Sequence, residues 1–237
     1  MTDIAILNSQ THRTVRVNAS AGAPLGDNRG FVPVILGEFT MIAAHYPILF
    51  SKDSENGAFY PGAMLGFDLE ENLFLEGQAN GTYRPLNLQR GPFLTAGDDL
   101  VIDLAHPRVG ASDGQALFGE DGQPSAYLES IMALMRQLHA GYQQTRQFID
   151  TLLGLKLLEA IDLDVGFDDG TKRQIEGLYT VNTEALRALP DATVLDLFHR
   201  GYLQLIYTVI GSLKQVPVLA RRKNAQGLGA TDPVSSL

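Results

Sequence analysis

Five histidines pose the first chemical question of the sequence: His12, His45, His106, His139 and His199. None lies four residues from another, so no helical turn presents two imidazoles to one metal ion. No His-x-Asp pair seeds the two-histidine, one-carboxylate arrangement of non-haem iron enzymes. Asp103 and His106 are three apart, but Pro107 disfavours the helix that would put them on one face. The stretch DLDVGFDDGTKR offers clustered aspartates. Aligned as a calcium loop from Asp162 and Asp164, it puts Phe167 where the loop needs glycine and Arg173 where it needs a bidentate glutamate, so it reads as a charged hairpin turn. No metal site and no cofactor are expected.

Phosphate and nucleophile signatures are also missing. The sequence contains neither Gly-x-x-x-x-Gly-Lys-Ser/Thr nor Gly-x-Gly-x-x-Gly, and no Gly-x-Ser-x-Gly elbow. Ser51, Lys52 and Asp53 are adjacent, so a regular element points them in different directions. No residue is assigned a catalytic role. The polar candidates that remain gather in GTYRPLNLQRGPFLTAGDD, where Arg84 precedes a proline and Arg90 precedes Gly-Pro. Arginines at such positions grip carboxylates or phosphates bidentately, or pair internally, here with Asp99 or Asp103. His45, Arg84, Arg90 and Asp103 are the ligand-binding candidates.

The elements that must position them change character along the chain. The first half reads as short strands between turns. HYPILFSKDSENGAFYPGAMLGF, residues 45–67, holds apolar runs at 48–50 and 63–67 around an Asn-Gly turn, the pattern of a hairpin. A short helix over Glu38–His45 precedes it and ends before Pro47. From Tyr127 the period becomes helical, with Ile131, Leu134, Leu138 and Tyr142 on one stripe and Gly154 near the end. A second hairpin turns at Asp169-Gly170. Asn182 or Thr183 caps a short helix after it. A long helix is expected from Asp191 to Val216, apolar nearly all round, and Tyr202 and Tyr207 on it are the interface candidates. The expected fold class is α+β: a mostly antiparallel, meandering sheet from the N-terminal half, packed against two principal helices and a second hairpin from the C-terminal half. Residues 1–222 read as one domain, and 223–237 as a disordered tail with little to bury.

Composition narrows the partners. The 237 residues are 45% hydrophobic, enough for a sizeable core, and carry a net charge of −9. That balance disfavours nucleic acid and anionic lipid, which need clustered cations. Cysteine is absent, which removes disulfides and thiolate chemistry. The N-terminus lacks the basic and apolar regions of a secretory signal, and no apolar run reaches the roughly 18–20 residues of a membrane span. A soluble, cytoplasmic protein is expected.

Six ordered blocks carry a family resemblance. FVPVILGEFTMIAAHYPILFSKD, AMLGFDLEENLFL, YRPLNLQRGPF and QALFGEDGQPS resemble successive blocks of the bacterial SapC family, and IEGLYTVNTEALRALPD and HRGYLQLIYTVIGSL resemble its C-terminal half. One departure stands out. The family places a tryptophan between the Glu-Asn-Leu-Phe block and the Tyr-x-Pro, whereas this chain reads EGQANGTYRP there and has no tryptophan. The family name comes from surface-layer association, and members accompany genes for TonB-dependent receptors, halogenase-like proteins and cupin-like oxygenases. A coherent fold signal without a catalytic signature leads to the expectation of a non-enzymatic accessory protein, and the resemblance implies that its partner is an oxygenase- or halogenase-like enzyme or a receptor segment. The alternatives are an enzyme or enzyme subunit acting on a peptide or small molecule, which requires His45, Arg84, Arg90 and Asp103 to share a pocket, and a surface-layer structural protein. A homo-oligomer is compatible with either.

Overall fold

The computed structural model describes residues 2–75 and 81–229. The position of the family tryptophan, in the segment that begins at residue 76, falls partly outside them. The strands are β1 (Ile4–Ile6), β2 (Arg16–Val17), β3 (Phe31–Pro33), β4 (Ile48–Lys52), β5 (Phe59–Met64), β6 (Phe93–Ala96), β7 (Asp99–Asp103), β8 (Gln115–Ala116), β9 (Leu158–Gly166) and β10 (Lys172–Val181). The helices are α1 (Phe39–Ala43), α2 (Leu86–Gln89), α3 (Ala126–Gly154), α4 (Thr183–Arg187), α5 (Asp191–His199), α6 (Tyr202–Ser212) and α7 (Val216–Gly229). All strand pairings are antiparallel, and the class is α+β.

The strands divide into three open sheets rather than one meander. They are ordered β1-β7-β6, β3-β5-β4-β10-β9 and β2-β8. The central sheet joins both halves of the chain, because β10 of the second hairpin pairs with β4 at Tyr179 and Phe50. The first hairpin begins its second strand earlier than its apolar run indicates, at Phe59 rather than 63. Pro61 sits inside that strand opposite Phe50. Its missing N–H costs no bond to β4, since the β4-facing amides of β5 belong to the residues on either side of it. The second hairpin turns at Gly170 with φ 82°.

The expected helix over 191–216 is broken and extended. α5 stops at Gly201, whose φ of 73° lies in the left-handed region that glycine reaches without strain. Past α6, a 3₁₀ turn at Leu213–Gln215 leads into α7, and Pro217 is tolerated because it lies in the first turn. The tail expected to be disordered from 223 is helical to Gly229, and residues 230–237 lie outside the described residues. Polar anchoring replaces the missing apolar burial: Lys223 Nζ pairs with Glu71 and Asp68, and Gln226 donates to the Leu73 carbonyl. The run Tyr202–Gln226 is long and apolar enough to cross a membrane, which corrects the expectation that no segment qualifies. One face of it packs into the larger core through Ile206, Val209 and Leu219, while most of its residues are partly buried or exposed.

Two apolar cores meet on α3. Its first half buries Leu128, Ile131, Met135 and Leu138 in a smaller core with Ile102 and Phe93. Its second half buries Phe148, Ile149 and Leu152 in the larger core beneath the central sheet. Ser125 caps the helix, its Oγ accepting from Leu128 N at 3.2 Å. At mid-helix, Gly141 lets Ile35 come close: a Cβ there would lie 2.3 Å from Ile35 Cδ1 and 2.9 Å from Ile35 Cβ. One turn on, Thr145 Oγ1 accepts from Leu36 N at 3.1 Å, satisfying the start of the turn that leads into α1. Gly141→Ala is expected to destabilise the protein by about 1–3 kcal/mol through overpacking, despite the gain in helix propensity. Urea unfolding of the two proteins measures it, and an unchanged midpoint would show that Ile35 yields freely.

Candidate functional site

An open groove of about 1250 Å³ lies between the β4–β5 hairpin and the second half of α3. Lys52 through Tyr60 form one wall, Tyr142 to Leu153 of α3 the other, and Pro33 and Val34 lie between them. The hairpin wall is rigid at its turn. Asp53 Oδ1 accepts from Glu55 N at 3.0 Å and Asn56 N at 3.1 Å, and Gly57 adopts φ 69°. Lys52 Nζ lies 4.9 Å from the ring centres of both Phe59 and Tyr179, a cation over two aromatic faces. Across the groove, Tyr142 donates to Asn87 Oδ1 at 2.8 Å, and Asn87 donates to the Pro33 carbonyl at 2.8 Å. Tyr142 is thereby anchored at its tip while 45% exposed. The groove carries both signs, Lys52 and Arg146 against Asp53 and Asp150.

The groove also exposes a sheet edge. β3 pairs only with Gly62–Met64 of β5, and its last bond there is from Val34 N to the Pro61 carbonyl at 3.0 Å. The chain then turns away. Phe59 pairs with Lys52 on β4 and has no β3 partner. Strand alternation sends its N–H and C=O to the same side as the Pro61 carbonyl, toward the groove.

The four ligand-binding candidates do not share a described cavity, and only Arg84 lines one. Arg84 Nη2 donates to both Asp27 oxygens, at 2.9 and 3.1 Å, and to the Leu88 carbonyl. Its partner is thus Asp27, not the Asp99 or Asp103 that sequence proximity offered. Arg90 is half-buried and bonds Asn87 Oδ1 and the Phe93 carbonyl. Burial pushes its pKa down. Asp103 accepts from Asp3 N and Ala105 N, pinning β1 to β7. His45 is half-buried with its ring edge-on to Tyr46. Of the interface candidates, Tyr202 packs edge-on against Phe148 under Arg200, whereas Tyr207 is 58% exposed. Among the described residues no group of three or more His, Asp or Glu side chains is placed to hold a metal ion.

Two buried polar centres were missed in the sequence. Asp27, 2% exposed, also takes Arg108 Nη2 at 2.7 Å and Gly22 N at 2.9 Å. Arg108 spends its other nitrogen on the Asn18 and Ser20 carbonyls. Glu38 accepts from Leu86 N, Ile35 N and the Tyr83 hydroxyl, and burial still raises its pKa. Asp27 sits in GAPLGDNRG, a stretch that shows only turn composition, and Arg108 stands 81 residues away, so local pattern gave neither.

The comparisons with known proteins bear on this architecture as a whole. The SapC family model matches residues 7–219, nearly the whole chain. The chain belongs to the SapC family. No curated protein and no solved structure matches it. The matched residues include those of the groove, the Asp27 centre and both cores.

Two consequences are measurable. Asp27→Asn leaves two guanidiniums without their carboxylate and is expected to cost about 3–5 kcal/mol in unfolding free energy, read by denaturant titration. A loss under about 1 kcal/mol would mean that water replaces the ion pair. His106 is pushed below its ordinary pKa by burial and then by Arg108. A depressed folded-state value gives stability that is present above about pH 6.5 and lost as pH falls through the folded value. The drop in unfolding free energy between pH 7.5 and 5.5 is therefore expected to be smaller in His106→Gln than in the native chain.

Proposed function

We propose that this SapC protein is a non-catalytic accessory protein that binds an extended segment of a partner protein in the groove between β5 and α3. The observation that carries this reading is the uncovered edge of β5 at Phe59, whose N–H and C=O face the groove. An added strand would exchange two backbone hydrogen bonds there, the recognition mode of strand addition. Lys52, Tyr60 and Tyr142 would then grip side chains, and tyrosine supplies large contact area at small entropic cost. At about 1250 Å³ the groove exceeds the roughly 300–1,000 Å³ of small-molecule sites and is open along its length, as a polypeptide requires. Its paired opposite charges favour a segment of mixed charge. The family's association with surface proteins and TonB-dependent receptors makes a receptor segment, or an associated oxygenase- or halogenase-like enzyme, the partner to seek.

The test is affinity purification of the tagged chain from its own cells, in parallel with Ala58→Trp, which fills the groove, and with Leu195→Glu, which alters an exposed apolar position on α5. One stoichiometric protein is expected with the native chain and Leu195→Glu. It should fall at least about tenfold with Ala58→Trp, and its binding should slow exchange of the Phe59 amide. Retention by Ala58→Trp, or loss with Leu195→Glu alone, would place the interface elsewhere and sink the reading.

A further inference from the structure

A second cavity lies on the other half of α3. It holds about 460 Å³, is open to solvent, and is bounded by α2, the first half of α3 and the Asn18–Ala19 loop. Its polar end is formed by Arg84 and Arg108 with Tyr127, and its apolar side by Leu86, Ile131 and Leu134. The volume falls within the range of small-molecule sites, unlike the groove.

Charge at the polar end does not balance. Asp27 is the one carboxylate that pairs with either arginine among the described ion pairs, so two buried or half-buried guanidiniums share one negative charge. The surroundings add to the excess. Arg29, Arg90 and Arg108 all lie close enough to depress His106, against the single carboxylate of Asp103, in a chain whose net charge is −9. Burial of unpaired cationic charge is costly unless an anion compensates it. Hydrogen bonding is incomplete on Arg84, which lines the cavity. Its Nη1 reaches only the Ala19 carbonyl at 3.4 Å, and among the described residues its buried Nε has no partner. The weakly satisfied Nη1 is the donor that an added acceptor would reach. Burial raises the Tyr127 pKa, which keeps the phenol a neutral donor near the same two arginines.

We infer that this cavity binds a small organic acid, its carboxylate on Arg84 and Arg108 and its apolar body against Leu86, Ile131 and Leu134. A carboxylate completes the charge balance and accepts from a guanidinium edge, while the apolar wall excludes a fully hydrated inorganic anion from the best fit. This assignment is independent of the groove, which faces the opposite half of α3.

The experiment compares benzoate with its neutral isostere benzamide by calorimetric titration of the full chain at constant ionic strength. Benzoate is expected to bind saturably, at least about tenfold tighter than benzamide, because the site's cations are left unmatched by the amide. Ala133→Trp, an exposed α3 position on the rim, is expected to weaken benzoate at least about tenfold without touching the ion pair. A readout that needs no variant is the arginine Nε–H spectrum, in which benzoate should shift the Arg84 resonance. Equal binding of the two probes, no saturation up to about 10 mM, unchanged binding by folded Ala133→Trp, or unmoved arginine resonances would each overturn the inference.

Discussion

The Asp27 carboxylate is the constraint on which the loop side of this fold depends. A buried carboxylate survives only where its charge is met and its lone pairs are filled. Here Arg84, Arg108 and the Gly22 amide meet it from three separate segments, while its own carbonyl takes Asn72 Nδ2 at 2.9 Å. Asn72 in turn accepts from Phe74 N, and Asn28 Oδ1 accepts from Asn72 N. Segments near residues 18–30, 66–74, 84–90 and 106–110 carry little regular structure. This centre ties them to one another without a sheet ladder, alongside bonds such as Leu86 N to Glu38 and Gly30 N to the Leu69 carbonyl.

The second organising element is α3. Its 29 residues are long enough to serve both cores, and the crossing at Gly141 sets its height over Ile35. Thr145 then holds Leu36 N, which starts the turn into α1, and Glu38 closes that turn by accepting from Ile35 N and Leu86 N. The same turn carries the chain away from β5 after Val34. The uncovered edge at Phe59 follows from that departure, which leaves the groove open between β5 and the second half of α3.

The parts of this fold that were legible in the sequence share one property, locality. The 3.6-residue stripe from Tyr127 gave α3, Asp169-Gly170 gave the β9–β10 turn, and Asn182 gave the α4 cap, its Oδ1 accepting from Ala185 N at 2.8 Å. The change from short strands in the first half to helical spacing in the second gave the class as a whole. What failed was nonlocal or depended on a single backbone torsion. The apolar stripe across 191–216 is continuous in composition, so only the left-handed torsion at Gly201 tells that α5 and α6 are two helices. The tail past 222 lacks apolar content, and its helix rests on Lys223 meeting acids more than 150 residues earlier. Arg84 illustrates both outcomes: it was singled out by residue type, but its partner Asp27, and the Arg108 that shares that carboxylate, lie 57 residues before it and 24 after it in the chain, beyond any pattern of spacing.

The two concavities differ in chemistry along a single helix. The second half of α3 faces a strand edge with both signs of charge, a surface suited to backbone and side chains of an extended chain. The first half faces two arginines with one carboxylate between them, a surface suited to a compact anion. The helix is rigidly seated between them by Ile35 against Gly141 and by the Thr145–Leu36 bond, so a ligand that tightened the Arg84 end would also settle Leu86, whose amide Glu38 holds. Glu38 bonds Ile35 N as well, at the root of the turn beside the groove. That chain of contacts, Arg84 to Leu86 to Glu38 to Ile35, is a physical connection between the two sites. It carries coupling only if occupancy of one site favours one arrangement of the other, which requires a differential contact in each state. The buried carboxylate of Glu38, raised in pKa and facing donors from both sides, is the element through which such a difference would have to pass.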